Sequence, residues 1–268
     1  MKQLMIFFFL LLPLVASGND RHQVSVADSL LKVAQTLMKK KDFDSAIKYY
    51  VQSDSMYKRL LLENDSLRYQ ATKGWLQCLI NYSEDESNRG RHKHAVELLE
   101  NARKIQFDNF GKNNEDYATI LYRKAMAYCA QKMYKEAISI ETEAVDIRRS
   151  LFGTKSEKYG SALHVLGYFH SLAELWDDAI KLGEEAVSVY REDKNADKLN
   201  YAYVLNNLSI YYNNKGILQR AVELIEEALP IFEEKLDPKD ITYAKMLNNA
   251  AVIYGGLGKN QDAVRLGK

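Results

Sequence analysis

The sequence repeats itself with a period of 42 residues along most of its 268-residue length. Each copy starts at an aromatic residue, and an alanine follows twenty positions later. The aromatic anchors are Trp75, Tyr117, Tyr159, Tyr201 and Tyr243, and the alanines are Ala95, Ala137, Ala179, Ala221 and Ala263. An earlier copy starts at Val26, 49 residues before Trp75, so we expect a longer connection around residues 62–67. A period in this range predicts a solenoid, because one such unit is too small to bury its apolar side and must stack on its neighbours.

Each copy carries two apolar stripes with helical spacing. In the fifth copy, Leu205, Leu208 and Tyr212 fall at steps of three and four, which is the pattern of one buried helix face. Gly216 then ends this helix, and a second stripe starts at Ala221. The sequence therefore predicts an all-α solenoid over residues 19–268, with about six helix pairs and the last one incomplete. The pairs start near residues 26, 75, 117, 159, 201 and 243.

The order of leucine, small residue, turn glycine and alanine carries a family resemblance. Leu205, Ser209, Gly216 and Ala221 show this order, which resembles the tetratricopeptide repeat (TPR). The 42-residue spacing is similar to that of the kinesin-light-chain-like variety, and the resemblance covers residues 26–268. It implies a right-handed superhelical solenoid whose first helices line a concave face, where family members bind extended peptides or partner segments.

Four residues depart from the family pattern. Lys132 and Glu174 stand where the turn glycine is expected, and Glu141 and Gly183 stand where the second helix usually has a bulky side chain. We expect these departures to change local packing in the third and fourth units and to leave the fold intact.

The resemblance also implies which side chains the concave face presents, namely those two, five, six, nine and twelve positions after each anchor. An amide there can both donate and accept, which suits the backbone of an extended peptide, and tyrosine adds contact area. The alternative is that these asparagines bond to the neighbouring helix and stabilise stacking, although Asn206 and Asn248 are expected to have no packing role. The candidate partner-binding residues are Asn81, Tyr122, Arg123, His164, Tyr168, Tyr203, Asn206, Asn207, Ile210, Lys245, Asn248 and Asn249.

The first 18 residues are typical of a secretory signal peptide. A short positive start precedes an apolar run over residues 4–16, which is shorter than the roughly 20 residues that a bilayer span needs. Val15, Ala16 and Ser17 supply the small residues that a signal peptidase requires. We therefore expect an exported protein, periplasmic or otherwise extracytoplasmic, with an uncleaved membrane anchor as the alternative.

Signals for chemistry are weak. The net charge of +1 gives no electrostatic basis for binding nucleic acid or an anionic membrane. His92 and His94 have no third ligand within reach, so we expect them in a solvated turn rather than in a metal site. The run from Gly255 to Lys259 resembles a phosphate loop but lacks its leading glycine and its Ser or Thr after the lysine. No set of nucleophile, base and acid emerges, so no catalytic activity, cofactor or metal is expected.

The sequence thus predicts a noncatalytic scaffold that binds a protein or an extended peptide segment on the concave face of a TPR superhelix. The alternative is the extracytoplasmic sensor region of a larger transmembrane signalling protein. The sequence stops at Lys268 in the middle of the predicted second helix of the sixth unit, which leaves the apolar stripe of the first helix of that unit half covered, so we expect a longer protein. A histidine kinase or DNA-binding output would then lie downstream.

Overall fold

A computed structural model describes residues 18–60, 66–259, 261 and 263. The described residues form eleven helices and no strand. They divide into two compact units, unit 1 up to Tyr82 and unit 2 from Ser83 onwards. The predicted signal peptide, apart from Gly18, and most of the last second helix lie outside the described residues.

The helices alternate between the first and second members of each repeat. Their bounds are α1 Gly18–Lys39, α2 Phe43–Arg59, α3 Ser66–Asn88, α4 His92–Phe110, α5 Glu115–Ala130, α6 Tyr134–Phe152, α7 Glu157–Leu172, α8 Trp176–Glu192, α9 Lys198–Asn214, α10 Leu218–Lys235 and α11 Ile241–Gly256.

In unit 2 the helices pack in the order in which the chain makes them. From α4 to α11 each helix contacts the next, and the first helix α9 also contacts the first helices α7 and α11. The predicted stripes are buried: Leu205, Leu208 and Tyr212 on α9 have at most 9% of their surface exposed. This stacking of helix pairs confirms the all-α solenoid that the 42-residue period predicts.

The turn between the two helices of each pair uses a residue with positive φ, and this residue also recurs every 42 positions. Glycine fills it at Gly90, Gly216 and Gly258, whereas Lys132 and Glu174 adopt φ angles of 60° and 59°. The N–H of Lys132 donates to the Cys129 carbonyl at 2.9 Å, as the N–H of Gly216 does to Asn213. The turn is therefore the same with or without glycine, at the conformational cost that an L side chain bears in the left-handed region.

The first helices of unit 2 begin at polar capping residues. The side chains of Asn114, Ser156, Asp197 and Asp240 accept hydrogen bonds from backbone N–H groups in the first turns of α5, α7, α9 and α11. Such caps satisfy N–H groups that have no partner inside the helix.

The repeated alanines lie in the buried core. Ala95, Ala137, Ala179 and Ala221 are fully buried. Gly183 on α8 lies at a close contact with the next repeat, because a Cβ atom at that position would lie 2.9 Å from Cδ1 of Leu208 on α9. The packing change expected at Gly183 is therefore a local one, in which Leu208 of the next repeat occupies the space of the missing side chain.

Unit 1 contains α1 and α2, which pack against each other, and the first part of α3. Its core includes Ala27, Leu31 and Tyr50, and Ser53 donates from Oγ to the Ala27 carbonyl at 2.9 Å. The longer connection expected around residues 62–67 is wrong in part. Helix α3 already begins at Ser66, so part of the extra length extends this helix. Residues 61–65 lie outside the described residues.

Candidate functional site

The candidate surface in unit 2 lies on the first helices α5, α7, α9 and α11. We call it the first-helix face and define it by the positions two, five, six, nine and twelve after each anchor. Eleven of the twelve candidate residues fall on it. Asn81 belongs to unit 1, where its Oδ1 atom accepts a hydrogen bond from Nε2 of Gln77 at 2.7 Å.

Four of the candidates form one hydrogen-bonded chain across three repeats. Nδ2 of Asn249 donates to Oδ1 of Asn206 at 3.2 Å, and Nδ2 of Asn206 donates to Oδ1 of Asn207 at 3.2 Å. Nδ2 of Asn207 then lies 2.7 Å from Nε2 of His164. Since the amide nitrogen can only donate, the imidazole must accept through Nε2. Burial lowers the pKa of His164 to about 4, so the imidazole is neutral at pH 7 and able to accept.

These bonds correct one expectation. Asn206 does have a packing role, because only 2% of its surface is exposed and both ends of its amide are engaged. Asn207 and Asn249 each reach back to the first helix of the preceding repeat, 43 residues earlier in both cases. The residue six positions after an anchor therefore contacts the residue five positions after the previous anchor. The sequence pattern within one repeat does not predict this contact.

Tyr122 and Arg123 line a recess of about 290 Å³ at the other end of unit 2. Nη1 of Arg123 donates to Oε2 of Glu84 at 3.2 Å, and both side chains are well exposed. Met126 and the buried Leu99 supply apolar wall to the same recess. The candidates in this part of the surface are thus available to a ligand, but they are separate from the asparagine chain.

The ninth position after each anchor carries an apolar side chain in four consecutive repeats. Met126, Tyr168 and Val252 have 40%, 39% and 58% of their surface exposed, and Ile210 is partly exposed. We call Met126, Tyr168, Ile210 and Val252 the apolar row. Tyr168 and Ile210 are among the candidates, whereas Met126 and Val252 are not, although the same spacing identifies them.

The remaining candidates, Tyr203, Lys245 and Asn248, differ in their exposure. Tyr203 is partly buried, with its ring centroid 5.4 Å from that of Phe232. Lys245 and Asn248 are exposed on α11. Asn248 therefore fits the expectation of no packing role that fails for Asn206.

The expected solvated turn at His92 and His94 is wrong. Both residues lie in the first turn of α4, and Nδ1 of His94 is 2.8 Å from Oε2 of Glu86, a carboxylate with 2% of its surface exposed. Arg91 also donates to Glu86. Burial raises the pKa of the Glu86 carboxyl, but the hydrogen bonds with His94 and Arg91 outweigh this effect and lower it.

Across residues 18–60 and 66–259, none of the helices has both the length and the apolar character needed to cross a membrane. The same part of the chain holds no group of three or more His, Cys, Asp or Glu side chains arranged to bind a metal ion.

Comparison with known sequences identifies the repeat. A family model for the tetratricopeptide repeat matches residues 76–150 and 158–234, which is more than half of the chain. A second tetratricopeptide repeat model matches residues 27–59. No curated protein matches the sequence.

Solved structures show the same architecture at low sequence identity. A kinesin-light-chain-like protein of Podosopora anserina with nearly identical TPR-like repeats is 22% identical, with a TM-score of 0.61 over 71% of this chain and 90% of that one. BtubC (BKLC) from P. vanneervenii is 19% identical, with a TM-score of 0.58 over 84% and 96%. A signal transduction ATPase of Pyrococcus horikoshii with a tetratricopeptide repeat sensor is 13% identical, with a TM-score of 0.64 over 91% and 36%. At these identities the likeness establishes the fold alone.

Proposed function

The chain belongs to the tetratricopeptide repeat family, and on that premise we propose that it is a noncatalytic scaffold that binds an extended segment of a partner protein. Repeats of this family typically mediate protein interactions. The partner segment would lie along the first-helix face of unit 2, on the side that corresponds to the concave surface of such solenoids.

The apolar row is the observation that carries this proposal. Met126, Tyr168, Ile210 and Val252 occupy one position in four repeats, and each leaves apolar surface in contact with water. Single exposed apolar residues are common on any protein, but a row of them at a repeated position is typical of an interaction surface. The row contains no charged side chain, so it suits a segment with apolar side chains.

Some amide groups of the asparagines on this surface stabilise the stacking of the repeats, and others are open to a ligand. Asn206, Asn207 and Asn249 bond to each other and to His164, so part of their capacity serves the stacking of the repeats. Oδ1 of Asn249 and the whole amide of Asn248 make no hydrogen bond within residues 66–259 and remain open to a peptide backbone.

Selection from a random peptide library against the purified protein tests the proposal. We expect selected peptides to carry apolar side chains at regular intervals and to lose binding when Tyr168→Asp and Ile210→Asp are combined. The matched control Ser188→Asp lies on the exposed side of α8 and should bind as the wild type does. Peptides that bind the Tyr168→Asp, Ile210→Asp double variant as well as the wild type would overturn the proposal.

We also propose that the protein is exported, on the basis of the apolar segment over residues 4–16. The test is the N-terminal sequence of the protein purified from the cells that make it. A start near residue 19 supports export with cleavage, whereas a chain that retains Met1 in the membrane fraction supports an uncleaved anchor. Recovery of a chain with Met1 from the cytosol alone would contradict both.

The second candidate is a sensor region within a larger transmembrane signalling protein. The Pyrococcus protein combines a tetratricopeptide repeat sensor with a signal transduction ATPase, so arrays of this fold do serve as sensors in that protein. The test is the size of the native polypeptide: a mass well above 30.8 kDa with a further membrane span would favour the sensor, and a mass at or below it would favour the scaffold.

A further inference from the structure

A second recess, of about 470 Å³, lies between the N-terminal ends of α5 and α7 in unit 2. A volume of several hundred cubic ångströms is the usual size of a pocket for a small molecule. The side chains that line it include Glu115, Tyr122, Arg148, Glu157, Lys158 and Ser161. Tyr122 and Ser161 belong to the first-helix face, and of these two only Tyr122 is among the twelve candidates.

Arg148 reaches the recess from helix α6 with most of its hydrogen-bonding capacity unused. Its side chain is 11% exposed, Nε donates to Oε1 of Glu115 at 3.4 Å, and Nη1 lies 3.7 Å from Oε1 of Glu141. Both distances exceed the 2.7–2.9 Å that is usual for a charge-assisted hydrogen bond. Within residues 66–259 the guanidinium has no other partner, so several of its five N–H donors are free.

Glu141 does little to neutralise this arginine. Both of its carboxyl oxygens are buried and accept no hydrogen bond within the described residues. Burial raises the pKa of Glu141 to about 8, so at pH 7 the group is mostly protonated. Glu115 is therefore the main counter-charge of Arg148.

Glu115 has an unused acceptor beside this unused donor. Its Oε1 atom accepts from Arg148, but its Oε2 atom is buried and has no hydrogen-bond partner in the described part of the chain. The Glu115 side chain as a whole is 34% exposed, so a ligand in the recess can donate to this carboxylate.

The charges around the recess balance. Glu115 and Glu157 oppose Arg148 and Lys158. Glu157 is already occupied, because it accepts from the backbone N–H of Asp197 at 3.3 Å and from Nδ2 of Asn200 at 2.9 Å. A ligand with a single charge would pair with either Arg148 or Glu115 and leave the other without a counter-charge. A ligand with one positive and one negative group would pair with both.

We propose that this recess binds a zwitterionic small molecule of the free amino acid class, with its carboxylate on Arg148 and its ammonium group on the carboxylate of Glu115. The proposal goes beyond the scaffold function and does not depend on it. Tyr122 also lines the recess and carries a further hydroxyl donor.

Isothermal titration calorimetry of the purified protein with the twenty L-amino acids tests the proposal. At least one of them should bind with a dissociation constant in the millimolar range or tighter. Its N-acetyl derivative and its carboxamide derivative should each bind at least tenfold more weakly, because each loses one charge-assisted contact. Absence of binding by all twenty, or equal binding of the capped derivatives, would overturn the proposal.

Two variants locate the site. Glu115→Gln keeps the size of the side chain but removes its charge, and Arg148→Gln removes the cation; each should weaken binding at least tenfold. The control Arg149→Gln is the next residue on α6, where the exposed arginine pairs with Asp146 at 2.8 Å outside the recess. Should Arg148→Gln fail to fold because Glu141 loses its neighbour, Glu115→Gln alone decides. If folded Glu115→Gln binds the amino acid as tightly as the wild type does, the proposal is wrong.

Discussion

Asn207 donates a hydrogen bond from Nδ2 to Nε2 of His164 over 2.7 Å and so connects α9 to α7. One repeat later, Asn249 makes the equivalent link to Asn206. These amides connect first helices of successive repeats, while the apolar row beside them stays in contact with water. The first-helix face therefore combines polar groups that hold the repeats together with apolar groups that are open to a partner.

Replacing Asn207 tests the structural role of the polar groups. Asn207→Ala should lower the free energy of unfolding by about 1–3 kcal/mol, because His164 and Asn206 each lose a partner while partly or wholly buried. Urea denaturation followed by circular dichroism measures this change. Asn248→Ala, which alters an exposed amide on α11, should stay within about 0.5 kcal/mol of the wild type. Equal stability of the two variants would argue against a stacking role for Asn207.

His164 predicts a loss of stability in mild acid. Burial lowers its pKa in the folded protein from 6.5 to about 4, so between these values the unfolded chain binds more protons than the folded one. The contribution of His164 to stability is thus present above pH 6.5 and is lost as the pH falls towards 4. The difference in unfolding free energy between the wild type and His164→Gln should shrink over this range. A difference that is constant with pH would contradict the neutral imidazole.

Glu141 predicts the opposite dependence. Burial raises its pKa from 4.5 to about 8, so between these values the folded protein retains a proton that the unfolded chain releases. Stability from this group is therefore present below pH 4.5 and falls as the pH rises towards 8. Glu141→Met should remove this slope and stabilise the protein at pH 8, because an apolar side chain of similar size needs no partner.

The window between pH 6.5 and 8 isolates this effect, since the slope from His164 is confined to lower pH. Chemical denaturation at several pH values measures it. Glu143→Met changes an exposed residue two positions further along α6 and should leave the slope unaltered. A wild-type stability that does not decrease between pH 6.5 and 8 would refute the protonated Glu141.

The repeat turns predict a stabilising substitution. Lys132→Gly and Glu174→Gly should each raise the free energy of unfolding by about 1 kcal/mol, because both residues have positive φ angles where glycine is unstrained. Gly216→Ala should lower it by a similar amount, although no atom lies within 4 Å of the added Cβ. The control Gly255→Ala is helical, with equally open space, and should not destabilise the protein. Thermal unfolding of the four variants gives the comparison.

The sequence predicts the fold well because its evidence is local and repeated. A leucine or alanine at a fixed position has the same neighbours in every repeat, so Ala137 and Ala221 are buried for one reason. Contacts between repeats are harder to predict. The burial of Asn206 depends on the register between α9 and α11, and the position of Glu115 beside Arg148 depends on how α5 meets α6. The repeat pattern in the sequence does not predict either contact.

Site-specific photo-crosslinking in cells that produce the protein tests the central claim most directly. The photoreactive amino acid p-benzoylphenylalanine, placed at Tyr168, Ile210 or Val252, should yield the same partner adduct from each position of the apolar row. Placed at Ser188, on the exposed side of α8, it should yield none. An adduct from Ser188 as abundant as those from the row, or no adduct from any position of the row, would contradict a partner-binding surface on the first helices.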